Sequence, residues 1–195
     1  MVYLLEPRRY KWIQAAYVPD GLMQKQLDGI ALQQSDIPLE TPLKGSVPIP
    51  DICSGAQGFL FVSDRGREVL EDLVPGHIAF FPLTLKAPSR IMTAKAYYFI
   101  DVLTRAQLVD WDTTPMEPTS IRTPDGRPTY LTRTASLEAN FKTVGADTPP
   151  IWRETDVDTP TRRLLINKRL VLMQDHIWQA LDERLPKQLV ASRFP

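Results

Sequence analysis

An α+β fold is the class this sequence predicts, a mixed or antiparallel sheet with a few short helices and two similar strand-helix-strand units. Three observations lead there. Phe59 to Pro82 and Leu170 to Arg193 read alike at a constant offset of 111 residues, which matches Asp64 with Asp175, Leu70 with Leu181 and Pro75 with Pro186. Outside them lie runs rich in β-branched and aromatic residues, above all Tyr97 to Leu103 (YYFIDVL), as expected of buried strands. The 18 prolines concentrate in Pro38 to Pro50 and Pro115 to Pro150. Each ring fixes φ and removes a backbone donor, so those stretches are expected to be loops or edge strands. Runs of strands with few helices belong to α+β rather than to a regular alternation.

Taken in order, Val2 to Leu5 and Tyr10 to Val18 read as a pair of strands closed by Pro19-Asp20-Gly21. Leu22, Leu27, Ile30 and Ala31 have loose helical spacing weakened by Gly29. In the first unit Phe59 to Val62 is a strand, and Ser63 offers its hydroxyl to the free amides of the next turn. Asp64 suits the positive helix end. Val69, Leu70 and Leu73 face the core, Pro75-Gly76 stops the helix, and Ile78 to Leu83 forms the next strand. In the second unit Asp175 is read as the cap, with Ile177, Leu181 and Leu185 on one face. In the strand Tyr97 to Leu103, Asp101 needs a partner. Ile121 to Leu131 centres on Asp125-Gly126, a hairpin signal that Pro124 and Pro128 push to a sheet edge. Ile151-Trp152 and Leu164 to Ile166 read as further short strands.

The 195 residues, 43% of them hydrophobic, suffice for a real core. One domain is expected over residues 1–195, with strands and a Pro-rich loop in residues 1–55. A core then fills residues 56–195 and holds the units at 59–82 and 170–193. Basic and acidic residues both number 23, so no global field draws the chain to nucleic acid or acidic lipid. The opening MVYLLEPRRYKW is too short in apolar residues for a signal core or a span. The single cysteine, Cys53, excludes an intrachain disulfide and fits a reducing compartment. A cytoplasmic location is the expectation.

No reactive constellation stands out. His77, His176 and Cys53 lack the paired spacing of a zinc site, and neither a P-loop nor a dinucleotide turn is present, since Gly55 and Gly58 precede a strand. No cofactor, metal or catalytic residue is expected. Cys53 reads as a small buried residue, with a thiol nucleophile as the alternative. Asp110 and Asp112, and again Glu154, Asp156 and Asp158, read as solvated loop charge, with acid/base work as the alternative. Around Trp111 and Met116 the acids Asp110, Asp112 and Glu117 compose an apolar anchor in a negative rim, suited to a basic protein surface. The competing reading has Trp111 plugging the core beneath its loop. Asp125, Arg127 and Tyr130 of the hairpin complete the expected contact set. Arg162, Arg163, Lys168 and Arg169 form a basic patch without interleaved aromatics.

The run Phe61-Val62-Ser63-Asp64, Leu70, Pro75-Gly76 and Phe80-Phe81-Pro82, followed by Tyr97-Tyr98 and Asp101-Val102, resembles a bacterial immunity-protein family of polymorphic toxin systems, immunity family eleven. The resemblance covers Phe59 to the C-terminus and weakens in its second half. There the family closes with a glycine, an apolar residue and a nearby phenylalanine, where this chain has Lys187, Gln188 and Leu189, with Phe194 late. It implies a stoichiometric blocker that neutralises a cognate toxin or effector domain acting in the cytoplasm, such as a nuclease or nucleotide-modifying enzyme, without catalysis. From the neutral charge and the lack of a long apolar run, no nucleic acid and no membrane is expected to be bound, and a monomer or weak homodimer is expected. A small enzyme and a self-assembling module remain the rival expectations, the latter through exposed edge strands of the hairpin.

Overall fold

The computed structural model describes residues 1–8, 14–15, 21–38, 40–44, 48–55, 59–132, 139–166 and 168–194. The described strands are β1 (Val2–Leu4), β2 (Gln14–Ala15), β3 (Glu40–Lys44), β4 (Ile52–Ser54), β5 (Leu60–Ser63), β6 (Ile78–Lys86), β7 (Tyr97–Val102), β8 (Arg105–Ala106), β9 (Met116–Arg122), β10 (Pro128–Thr132), β11 (Ile151–Glu154), β12 (Val157–Asp158), β13 (Arg163–Leu165) and β14 (Leu172–Gln174). The helices are α1 (Leu22–Asp28), α2 (Asp64–Leu73) and α3 (Asp175–Arg184). Mixed sheets with short helices make this an α+β fold, as the sequence predicts. The chain divides into two compact units. One comprises Glu6–Leu103 and His176–Val190; the other comprises Met1–Leu5, Thr104–Asp175 and Ala191–Pro195.

The first of these is built on a six-stranded sheet in the order β2-β3-β6-β7-β5-β4, antiparallel except where β3 runs parallel to β6. Strand β7 lies between β5 and β6 and runs antiparallel to both, so β5-α2-β6 is a parallel crossover with a strand inserted in its middle. Alternation along the strands sorts the side chains onto two faces. Cys53, Phe61 and Phe99 stand opposite one another on one face, and Leu83 stands opposite Tyr97. These join Leu22, Leu32, Ile37, Ile49, Leu85 and Ile91 in one buried cluster. The Phe99 ring lies 5.3 Å from Phe59 and 6.1 Å from Phe61, tilted and edge-on, the geometry aromatic quadrupoles favour. Asp101 finds its partner in the buried Gln26 of α1, whose amide donates to it at 2.8 Å.

Helix α2 is set by local chemistry. The Ser63 hydroxyl accepts from the Gly66 amide at 3.1 Å, capping the first turn. Val69 and Leu70 are buried against the sheet, while the Arg67 guanidinium lies over the rings of Phe80 and Tyr98, 5.6 and 4.8 Å from their centroids. Gly66 is required for a different reason. A Cβ there would sit 2.3 Å from the Asp51 carbonyl oxygen and 3.2 Å from the Val62 Cβ.

The offset seen in the sequence extends to the backbone. Helices α2 and α3 begin and end at matching positions, and Leu70 and Leu181 are both fully buried. Gly76 (φ 77°) has its counterpart in Lys187, which holds φ at 65° although it carries a side chain. The strands around the helices are used differently. Strand β5 pairs within the six-stranded sheet, whereas β14 pairs with β1 and β11. After α3, Leu189 makes an isolated bridge to Pro7 instead of a full strand.

The remaining unit contains two four-stranded sheets, β1-β14-β11-β8 and β12-β13-β10-β9. Val2, Ala139, Trp152, Leu172 and Phe194 form its buried cluster, with Phe141 edge-on to both Trp152 and Phe194. The Arg153 side chain is 3% exposed and donates to the carbonyls of Lys168 and Arg169 at 3.1 and 2.7 Å.

Several local expectations are corrected. Among the described residues, β1 pairs not with the next segment but with β14 from the far end of the chain. The expected Tyr10 to Val18 strand lies outside the described residues except for Gln14–Ala15, which pairs with β3. The proline-rich stretch 38–50 contains β3, an inner strand rather than a loop or an edge. Pro42 is tolerated because β2 pairs only with Leu43 and Lys44, leaving the level of Pro42 without a neighbour on that side among the described residues. Gly29 does not weaken α1 from within but terminates it in the left-handed conformation (φ 71°). Asp175 is the first helical residue rather than the cap.

Two substitutions test these backbone constraints by chemical denaturation. Gly66→Ala is expected to destabilise the protein by about 2 kcal/mol or more, because the obstructing atom is backbone. Lys187→Gly is expected to stabilise it by about 1 kcal/mol, the usual penalty for a side chain in the left-handed region. A neutral or stabilising Gly66→Ala, or a destabilising Lys187→Gly, would show that these positions relax.

Candidate functional site

All eight residues expected to contact a partner lie in the unit that contains Thr104–Asp175. The stretch begins where β8 ends. Val109 is buried and bridges to Phe141, and the Asp110 amide donates to the Asn140 carbonyl at 2.8 Å. The Thr114 amide then donates back to the Asp110 carbonyl, closing a turn, and the Asp112 amide donates to the Asp110 carboxylate at 3.2 Å. Asn140 holds the turn from beneath, its side-chain amide reaching the Thr113 carbonyl at 2.8 Å and its backbone exchanging hydrogen bonds with the Thr114 hydroxyl. The result is a short loop pinned along its inner side, with Asp112 exposed and Asp110 and Trp111 partly exposed. The indole N–H of Trp111 is buried and has no acceptor among the described residues.

The chain continues into β9, where Met116 pairs with Thr132 and Glu117 with Leu131. Leu131 and Ile121 are 43% and 61% exposed, so the hairpin carries apolar surface as well as charge. At its other end Gly126 takes φ 86° and its amide donates to the Thr123 carbonyl, as the Asp125-Gly126 signal requires. Arg127 is engaged internally, donating to Asp125 at 2.7 Å and also to the Asp158 carboxylate and the Thr159 carbonyl. The Asp125 carboxyl is held below the usual carboxylate range first by the Thr123 hydroxyl and then by Arg127. Tyr130 lies under the Arg162 guanidinium, 5.9 Å from ring centroid to charge. The eight residues thus fall into groups. Asp110, Trp111, Asp112, Met116 and Glu117 form one continuous stretch, Asp125 and Arg127 close the far end of the hairpin roughly 20 Å along the strand, and Tyr130 lies between.

The acidic series Glu154, Asp156 and Asp158 is not uniform solvated charge. Glu154 is 1% exposed. Its carboxylate accepts from the Trp152 indole at 2.8 Å and from the Leu108 amide at 3.1 Å to each oxygen. The Val109 amide is a further partner, and Lys142 supplies a weaker positive field. Burial outweighs these and pushes the carboxyl up to about 7. Asp156 is held by Lys168 at 2.9 Å and Arg163 at 3.2 Å, so part of the predicted basic patch serves this acid. Only Asp158 of the three is exposed, and Arg127 binds it. The burial of Glu154 had no local signal. Ile151-Trp152 followed by Arg153-Glu154 reads as a strand leaving the core, whereas all four residues are buried.

Cys53 is buried, and desolvation pushes its thiol up to about 12, so it is protonated at neutral pH and no nucleophile. Among the described residues no group of three or more His, Cys, Asp or Glu is placed to hold a metal ion. Among them, too, no helix is long and apolar enough to cross a membrane.

Glu154 makes stability pH-dependent with a definite sign. Its carboxyl is raised from 4.5 to about 7 on folding, so the folded state holds the proton more tightly. The contribution is fully present below about pH 4.5 and is lost as pH rises through about 7, amounting to about 3 kcal/mol. Urea denaturation across this range is expected to show the loss in the native chain and its absence in Glu154→Gln. Identical slopes for the two proteins would show that Glu154 does not titrate in this way.

No curated protein matches the chain in sequence. The immunity protein family (Imm11) matches residues 8–159. The match starts well before Phe59, so it takes in β2, β3 and the proline-rich segment as well as the hairpin and Glu154, while β1 lies outside it. It ends before the second strand-helix unit, so the stretch Lys187 to Leu189 lies outside the match. Spanning more than half of the sequence, this match shows that the chain belongs to the immunity protein family (Imm11).

Proposed function

We propose that this protein neutralises one cognate bacterial toxin domain by binding it stoichiometrically, and that the loop and strand from Asp110 to Glu117 supply the central contact. The observation that carries the reading is the family match over residues 8–159. A partly exposed tryptophan set among Asp110, Asp112 and Glu117 supports the choice of surface, since aromatic anchors with a charged rim are the usual composition of tight interfaces. The charge favours a basic patch on the toxin. Asp125, Arg127 and Tyr130 extend the same hairpin, the first two shaping its tip through their mutual bond. The cytoplasm is the proposed site of action, consistent with a chain whose one thiol is free. The inhibitor acts as a monomer or weak homodimer and needs no turnover of its own.

Co-expression with the toxin encoded by the adjacent gene provides the test. The two chains are expected to co-purify and growth to be rescued; failure of both would overturn the proposal. Trp111→Ala combined with Asp112→Lys is expected to weaken binding by about 2 kcal/mol or more. Because Asp112 is exposed, Asp112→Lys alone separates a lost contact from a lost fold. Unchanged affinity in both variants would place the interface elsewhere.

A further inference from the structure

Glu154 lies in β11, which pairs in parallel with β8 so that Glu154 stands beside Ala106. From there its carboxylate reaches forward along the neighbouring chain to the amides of Leu108 and Val109, the two residues directly before Asp110. The Trp152 indole, two residues back on its own strand, occupies the same carboxylate. A single buried group therefore gathers donors from the interior strand and from the root of the exposed loop. Beyond Val109 the loop is held by Asn140 and by hydrogen bonds of its own as far as Thr114, among the described residues.

We propose that Glu154 is the positioning residue of the partner-contacting loop, a buried clamp that fixes the root of the Asp110–Glu117 stretch without touching the partner. The inference rests on the functional reading above and deepens it. Among the described residues the charged group that faces the carboxylate is Lys142, whose ammonium also donates to the Gln107 carbonyl at 3.4 Å. Its hydrogen bonds, from the β8 side and from β11, come from the N–H donors already named. Opening the loop root admits water to the carboxylate, which then titrates near its ordinary value. The open state holds the proton less tightly than the closed one, so rising pH favours opening. The clamp is closed in mildly acidic solution and loosens as pH rises through about 7.

Hydrogen exchange of the Leu108 and Val109 amides tests the clamp in the free chain, and toxin dissociation tests its consequence. After correction for the intrinsic rise of exchange with pH, loop opening is expected to increase on the order of a hundredfold between about pH 5 and 8. Dissociation of the toxin encoded by the adjacent gene accelerates over the same interval. In Glu154→Gln, which keeps a carbonyl acceptor and cannot ionise, both profiles are expected to be flat. Glu154→Ala, which removes the acceptor, opens the loop at every pH, with the far-UV spectrum reporting whether the unit still folds. A native profile as flat as that of Glu154→Gln overturns the clamp. Steep exchange with unchanged toxin dissociation overturns its role in binding. A native chain that binds the toxin at neither pH overturns the functional reading and with it the partner half of this inference, while the exchange profile still decides the clamp.

Discussion

Asp51 is the point to which the six-stranded unit is tied. Its carbonyl accepts the Ser63 amide at 2.9 Å, and its carboxylate takes the Ser63 hydroxyl at 2.5 Å and the Gln188 side-chain amide at 2.9 Å. The Gln188 side-chain oxygen in turn accepts from the Ile52 amide at 3.0 Å. One residue thus joins the start of β4, the cap of α2 and the chain leaving α3. The same closeness excludes any side chain at position 66. Charge-assisted hydrogen bonds in a partly buried setting are among the stronger polar contacts. Here they act together with the aromatic face of the sheet, which supplies the bulk of the burial.

Glu154 plays the corresponding part in the other unit, with a different physical character. Asp51 works at a partly exposed position, whereas Glu154 is shut away from water with three N–H donors, one indole and two backbone amides. Desolvation opposes the ionised form more than those donors favour it. The unit therefore carries a polar anchor that is stabilising when neutral and costs stability when charged. Removing the acceptor altogether leaves buried donors unpaired, which costs more than the bond itself is worth.

For the proposed toxin-binding function the consequence lies in where rigidity ends. The Asp110–Glu117 stretch is held along its inner side by Asn140 and at its root by Glu154, while Asp112 and Glu117 face solvent. A pre-shaped loop loses less entropy on binding than a free one, and acidic side chains on it favour partners of opposite charge. The hairpin beyond it is shaped by Arg127, whose internal hydrogen bonds make it part of the scaffold.

Features that depend on near neighbours along the chain were readable from the residues alone. The Ser63 cap, the Pro75-Gly76 stop and the Asp125-Gly126 turn each act over a few residues, and the α+β class follows from runs of strand composition. The offset between the two helical units was equally legible, since first-turn aspartate, core leucine and turn recur together, with Lys187 in the place of Gly76. Only the tertiary structure decided which strands meet. The pairing of β1 with β14, and of β3 in parallel with β6, joins segments whose own residues do not encode their partners. The role of Glu154 was hidden for the same reason. Whether a carboxylate is solvated charge or a buried clamp depends on what surrounds it, and the backbone amides that meet Glu154 come from Leu108 and Val109, far back in the chain.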